Sequence, residues 1–135
     1  MIFVNLPVRD LPRSMTFFEG LGYRFNPQFT DDTAACMMID GQQIFAMLLT
    51  HEKFAQFTPK ATSISDARQT TEVLVCLSCE SRAEVDDLVR KAVAGGGTVF
   101  RDPQDLGFMY SHAFQDLDGH IWEVMWMDPS AVQPQ

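Results

Sequence analysis

The sequence predicts an α+β fold: two β-α-β-β-β modules whose eight strands form a cupped mixed sheet with helices outside. Two observations predict it. The same element order is written twice along the chain, and duplication of this kind fixes an architecture. Each copy opens on a strand-like run that ends at a helix N-cap, Asp10 in the first and Ser81 in the second.

Module one covers residues 1–49. Met1–Val8 reads as a strand. Asp10 caps a helix with Pro12 in its first turn, and Leu11, Met15 and Phe18 recur at helical spacing. Gly20 and Gly22 end that helix. Three strand-like runs follow, Tyr23–Phe29, Thr33–Ile39 and Gln43–Leu49, with turns at Asp31-Asp32 and Asp40-Gly41.

Module two covers residues 72–127. Glu72–Cys79 is a strand, and Ser81-Arg-Ala-Glu84 is a capping box. Val85, Leu88, Val89, Ala92 and Val93 form one apolar helical stripe, stopped by Gly95-Gly96-Gly97. Thr98–Arg101, Met109–Gln115 and Ile121–Met127 supply three further strands. Asp116-Leu-Asp-Gly119 joins the last two. It matches a type I turn with a glycine bulge, which puts Ala113 opposite Glu123 and Ser111 opposite Met125. A two-residue loop would put His112 there instead.

Residues 50–71 join the modules. His51–Phe57 has the character of a short helix, and Thr58–Thr71 reads as a loop, either functional or a plain connection. The tail, residues 128–135, is polar and expected to fray. The whole, residues 1–135, is read as a single domain, a size that buries a core without staples.

Ten Lys and Arg against eighteen Asp and Glu give a formal charge of −8. That balance argues against nucleic acid and anionic membranes as partners, since both need clustered cations. No apolar run has the length of a signal peptide or membrane span, so the expected location is cytoplasmic. Three cysteines, Cys36, Cys76 and Cys79, suit a reducing compartment. Cys76 and Cys79 form a C-x-x-C. Three residues apart on a strand they point to opposite faces, which favours small half-buried side chains over a redox or metal pair.

Several strands are apolar on both faces. Ile44, Ala46 and Leu48 alternate with Phe45, Met47 and Leu49. Val73, Val75 and Leu77 alternate with Leu74, Cys76 and Ser78. Helices cover one face of a sheet, so the second must meet a partner subunit, a cavity or a ligand. Clustered Phe and Met suit an apolar or aromatic small molecule, and they suit an ordinary core. Glu123 stands out, flanked by Trp122 and Val124 and sharing a face with Ile121 and Met125. A carboxylate there calls for a role as metal ligand or base, for a cationic partner such as Arg9 or Arg24, or for an exposed strand.

The segment Val8-Arg-Asp-Leu-Pro-Arg-Ser-Met-Thr-Phe-Phe-Glu-Gly-Leu-Gly-Tyr23 resembles the opening V-x-D-L, S-x-x-F-Y, L-G of the glyoxalase, bleomycin-resistance and extradiol-dioxygenase superfamily, also called vicinal oxygen chelate. Asp116-Leu-Asp-Gly-His-Ile-Trp-Glu-Val124 is similar to that family's closing D-P-D-G-x-x-x-E-L. The resemblance implies a divalent metal in a cupped sheet, bound by His and Glu from the first and last strand of each module. Those positions fall near Phe3, at or beside Met47, near Leu74, and at Glu123. Phe, Met and Leu do not replace His or Glu on such an ion. The expectation is therefore a degenerate metal site with no cofactor, and an apolar small-molecule cavity. Glu123 is its catalytic candidate. Phe3, Asn5, Phe45, Met47, Leu74, Cys76, Ser111 and Met125 are its substrate-binding candidates. A lyase- or dioxygenase-type enzyme and a metal-free protein that sequesters an aromatic or apolar compound both fit. A homodimer is expected, because family members close their cups by pairing modules.

Overall fold

The computed structural model of the chain describes residues 1–132. It divides into two compact units, Met1–Asp66 and Ala67–Gln135. The first contains β1 (Ile2–Val8), α1 (Leu11–Gly20), β2 (Arg24–Asn26), β3 (Ala34–Asp40), β4 (Ile44–Thr50) and α2 (His51–Ala55). The second contains β5 (Leu74–Ser78), α3 (Arg82–Ala94), β6 (Gln104–Asp105), β7 (Met109–Gln115) and β8 (Ile121–Met127). Each unit is a β-α-β-β-β module built on one four-stranded mixed sheet, ordered β1-β4-β3-β2 and β5-β8-β7-β6. The first strand of each runs parallel to the last, and the remaining pairs are antiparallel.

The predicted caps form. The Asp10 carboxylate accepts the Arg13 N–H at 3.1 Å, and Ser81 Oγ accepts the Glu84 N–H at 3.1 Å. Glu84 reaches back to the Glu80 N–H, one residue earlier than a standard capping box. In the first sheet Leu6, Val8, Ala35, Met37, Ala46 and Leu48 line one face and are buried, with α1 packed on it through Leu11, Phe17 and Phe18. In the second, Leu77, Phe114, Trp122 and Val124 line the face under α3, which buries Val85, Leu88, Val89 and Ala92. Fully burying one such side chain contributes about 1.5–3 kcal/mol, so these faces carry most of each unit's stability.

Two predicted strands are corrected. The run Tyr23–Phe29 is a strand only over Arg24–Asn26. Pro27 has no N–H for a ladder, and the Asn26 side chain caps a 3-10 turn over Pro27–Phe29 by accepting the Gln28 N–H at 3.0 Å. The run Thr98–Arg101 is not a strand. Thr98 makes an isolated bridge to Gln115, and the pairing resumes only at Gln104 opposite Ser111. Five residues on one side, 99–103, thus stand against three on the other, 112–114. The chain between them bends through Arg101-Asp102-Pro103, where Pro103 again lacks a donor.

The hairpin from β7 to β8 takes the bulged register. Ala113 faces Glu123, Ser111 faces Met125, and His112 faces Val124 on the other side of the sheet. Gly119 has φ +90, and a Cβ there would lie 3.0 Å from the Arg68 backbone nitrogen. Only glycine fits both the left-handed turn and that close approach. In the tail Asp128 caps a 3-10 turn over Pro129–Ala131, its carboxylate accepting the Ser130 N–H at 2.9 Å. Residues 133–135 lie outside the described residues.

Candidate functional site

Strand alternation puts every site residue expected from the sequence on the sheet face opposite its module's long helix. In the first unit that face holds Phe3, Asn5 and Pro7 of β1 beside Phe45, Met47 and Leu49 of β4. Phe3 stacks on Phe45 with ring centres 4.8 Å apart. Phe45 is buried, Met47 half-buried, and Phe3 and Asn5 exposed. The Asn5 amide donates to the Phe3 carbonyl at 3.3 Å, which leaves its side-chain oxygen available as an acceptor.

The segment after β4 closes over one end of this face. Thr50 caps α2 by accepting the Lys53 N–H at 3.2 Å, and α2 packs on β1 and β4. Asn5, Leu49, Phe54 and Phe57 line a cavity of about 370 Å³. The Lys53 ammonium sits 5.7 Å from the Phe57 ring centre. Leu49, Phe54 and Phe57 were not among the expected site residues. The available signal was Phe54 and Phe57, three residues apart directly after an apolar strand, where a helical turn puts them on one side.

In the second unit the open face holds Leu74 and Cys76 of β5, Ile121, Glu123 and Met125 of β8, and Ser111 and Ala113 of β7. Leu74 and Cys76 are exposed, Met125 and Glu123 half-buried, Ser111 buried. Cys76 and Glu123 are direct cross-strand neighbours, as are Asn5 and Met47 in the first unit. Counted back from the helix caps, Asn5 and Cys76 occupy the same place, five residues before Asp10 and Ser81. The neighbours of Met47 and Glu123 are therefore Asn5 and Cys76, rather than Phe3 and Leu74.

The cationic partner of Glu123 is Arg101, not Arg9 or Arg24. A guanidinium nitrogen of Arg101 lies 4.0 Å from Glu123 Oε1. Arg9 instead pairs with Asp66 at 3.0 Å, and Arg24 is exposed. Arg101 stands on the far side of β7, where its carbonyl meets His112 Nε2 at 3.0 Å. Its side chain must cross the width of β7 to reach β8. The β7 residue in its path, Ala113, has only a methyl group. Cys76 is exposed at its surface, but partial desolvation by its neighbours pushes the thiol above its ordinary pKa, and the Glu123 charge adds to that. Burial likewise pushes Cys79 up, to about 11. All three cysteines are free.

Among the described residues no group of three or more His, Cys, Asp or Glu side chains gathers where a metal ion would need them. At the ligand positions that the sequence resemblance implies, Phe3, Met47 and Leu74 offer no donor for a divalent ion, and the cross-strand alternatives add one amide and one protonated thiol. This residue set does not fit a His and Glu metal centre.

The family model for the glyoxalase/bleomycin resistance protein/dioxygenase superfamily matches residues 2–124. The chain belongs to this superfamily. Among solved structures it is similar to a hypothetical protein, SA1046, from S. aureus, with 30% identity, a TM-score of 0.77, and 93% of this chain and 92% of that one covered. It is similar to a glyoxalase/bleomycin resistance protein/dioxygenase family enzyme from Burkholderia phytofirmans PsJN, with 17% identity, a TM-score of 0.75, and coverage of 93% and 96%. The fosfomycin resistance protein FosX from Mesorhizobium loti shares the fold at 18% identity, a TM-score of 0.65, and coverage of 96% and 93%. No curated protein matches the sequence. Among the described residues no helix is long and apolar enough to cross a membrane.

Proposed function

We propose that this protein binds a small aromatic or apolar compound without a metal. One observation carries the reading: the cavity of about 370 Å³ under α2, walled by Leu49, Phe54 and Phe57 with the Asn5 amide as its polar group. Small-molecule sites are apolar pockets of about 300–1,000 Å³ with a few placed polar groups, and this one stands at the small end. It suits a ligand of one or two rings. The apolar residues at the family's ligand positions support binding over metal-assisted chemistry.

A second reading is a metal-free lyase- or dioxygenase-type enzyme with Glu123 as base. It is favoured by a Glu123 carboxylate that accepts no protein hydrogen bond among the described residues and so keeps its lone pairs for a substrate proton. We also propose a homodimer, because β1 and β5 are end strands of their sheets and leave Ile2, Phe3 and Leu74 exposed by 59%, 49% and 53%. Three free thiols support a reducing, cytoplasmic setting.

Ligand-observed NMR with indole, on protein stripped with EDTA, tests the binding reading. Saturation transfer to indole is expected in the wild type and lost in Asn5→Trp, whose ring fills the cavity from an exposed strand position. Transfer that is absent in the wild type, or unchanged in the variant, contradicts the assignment.

A further inference from the structure

We propose that Asn5 selects neutral ring compounds that carry a hydrogen-bond donor, an N–H or O–H, and that it reads that donor with its side-chain oxygen. The inference rests on the reading above, that the cavity under α2 takes a small aromatic compound, and adds which polar group that compound carries.

The orientation of one amide carries it. Asn5 Nδ2 donates to the Phe3 carbonyl, two residues back on the same strand, at 3.3 Å. A carbonyl accepts and cannot donate, so the amide turns its nitrogen to the strand. The oxygen, at the other end of the planar group, is the free end. It accepts no hydrogen bond among the described residues. Its neighbours on this face of β1 and β4 offer none: Phe3, Pro7, Phe45, Met47 and Leu49 have no side-chain donor. The rest of the cavity wall, Leu49, Phe54 and Phe57, is hydrocarbon. Asn5 is exposed, so water or a guest can reach that oxygen.

The wall then decides the ligand class. A ring that packs on Leu49, Phe54 and Phe57 takes the place of water at Asn5 Oδ1. A ring with an N–H or O–H restores the bond that water made. A ring without one leaves the acceptor facing hydrocarbon, and displacing water without reproducing its bond loses affinity. An ammonium also has donors, but the wall holds no carboxylate. Setting a charge against hydrocarbon without a counter-charge costs more than one hydrogen bond returns. The class that remains is neutral, pyrrole-type N–H rings and phenols. A volume of about 370 Å³ limits it to one or two rings.

Three two-ring probes of similar size test it, titrated at neutral pH into the full chain: indole, which has a donor; benzofuran, which has none; and quinoline, which only accepts. The wild type is expected to bind indole roughly tenfold or more tighter than either of the others. Asn5→Leu removes the oxygen at a similar side-chain size. It should keep benzofuran binding and bring indole down to the same level. Asn5→Asp keeps an acceptor oxygen, loses the N–H and should keep indole ahead. Should Asn5→Leu fail to fold, the wild-type ranking and Asn5→Asp decide. Benzofuran or quinoline binding as tightly as indole in the wild type overturns the proposal. So does an indole preference that survives in Asn5→Leu or vanishes in Asn5→Asp. If the probes bind and indole has no advantage, this inference alone fails. If none of the three binds, the binding reading falls with it.

Discussion

The Asp116 carboxylate accepts the Trp122 indole N–H at 2.9 Å, and both residues are buried. The other oxygen of Asp116 accepts the backbone N–H groups of Asp118 and His120, each at 3.0 Å. One side chain thus folds the Asp116–Gly119 turn and anchors the tryptophan at the centre of the second unit's core. The family resemblance in D-x-D-G is, at Asp116, a structural feature. It sets the hairpin register and so the face on which Glu123 stands.

Asp116→Ala should destabilise the protein more than any substitution at Glu123. It orphans a buried indole donor and two turn N–H groups, and one unsatisfied buried donor costs about 1–3 kcal/mol. Urea unfolding should show a loss of at least about 2 kcal/mol. A loss within the scatter of surface mutations would mean that water replaces the carboxylate and the turn holds itself.

Glu123→Gln should cost little. The pair with Arg101 is half-exposed and 4.0 Å apart, so the loss is under about 1 kcal/mol. The heavier penalty of about 3–5 kcal/mol belongs to a fully buried pair, which this is not. A midpoint shift in urea as large as that of Asp116→Ala would show that Glu123 is a structural residue.

Cysteine chemistry gives a pH test. Glu123 raises the Cys76 pKa, so removing its charge lowers that pKa and increases the thiolate fraction at any pH below it. Iodoacetamide at pH 8 should therefore alkylate Cys76 faster in Glu123→Gln than in the wild type. Cys79, held near 11, should remain slow in both proteins, and buried Cys36 slower still. Equal Cys76 rates in the two proteins would mean the Glu123 charge does not reach the thiol.

The loop after β6 should loosen in acid. Arg82 grips Asp105 through two hydrogen bonds, at 2.7 and 3.0 Å, and also donates to the Gly107 carbonyl. These contacts hold the Asp105 pKa below its ordinary 3.8. A carboxylate with a depressed folded-state pKa contributes stability that is present above the unfolded value and lost as pH falls through the folded one. Hydrogen exchange at Gly107, whose N–H donates to Asp105, should be protected at pH 5 and lose that protection below about pH 3.8, relative to the β7 amides. Uniform protection across that range would assign the loop's order to other contacts.

Much of this was legible in the chain. The two caps, the element order and the Asp116–Gly119 register follow from local chemistry, and each formed as the residues indicated. Arg101 was not legible. It reaches Glu123 from a segment that shifts register by two residues against β7, and no periodicity records such a shift. The α2 cavity was half legible. Asn5 was among the substrate-binding candidates, but Phe54 and Phe57 lie in a connecting segment whose path depends on packing against β1 and β4. Thr98–Arg101 had a strand's composition and lost to Pro103 beyond it.

The central claim, metal-independent capture of a small aromatic compound, is tested most directly by calorimetry. Indole is titrated into EDTA-stripped protein and into the same protein with added Ni²⁺ or Zn²⁺. The account predicts saturable binding with the same Kd in all three, weakened in Asn5→Trp. Binding that appears only when the metal is present, or that is absent throughout, would contradict it.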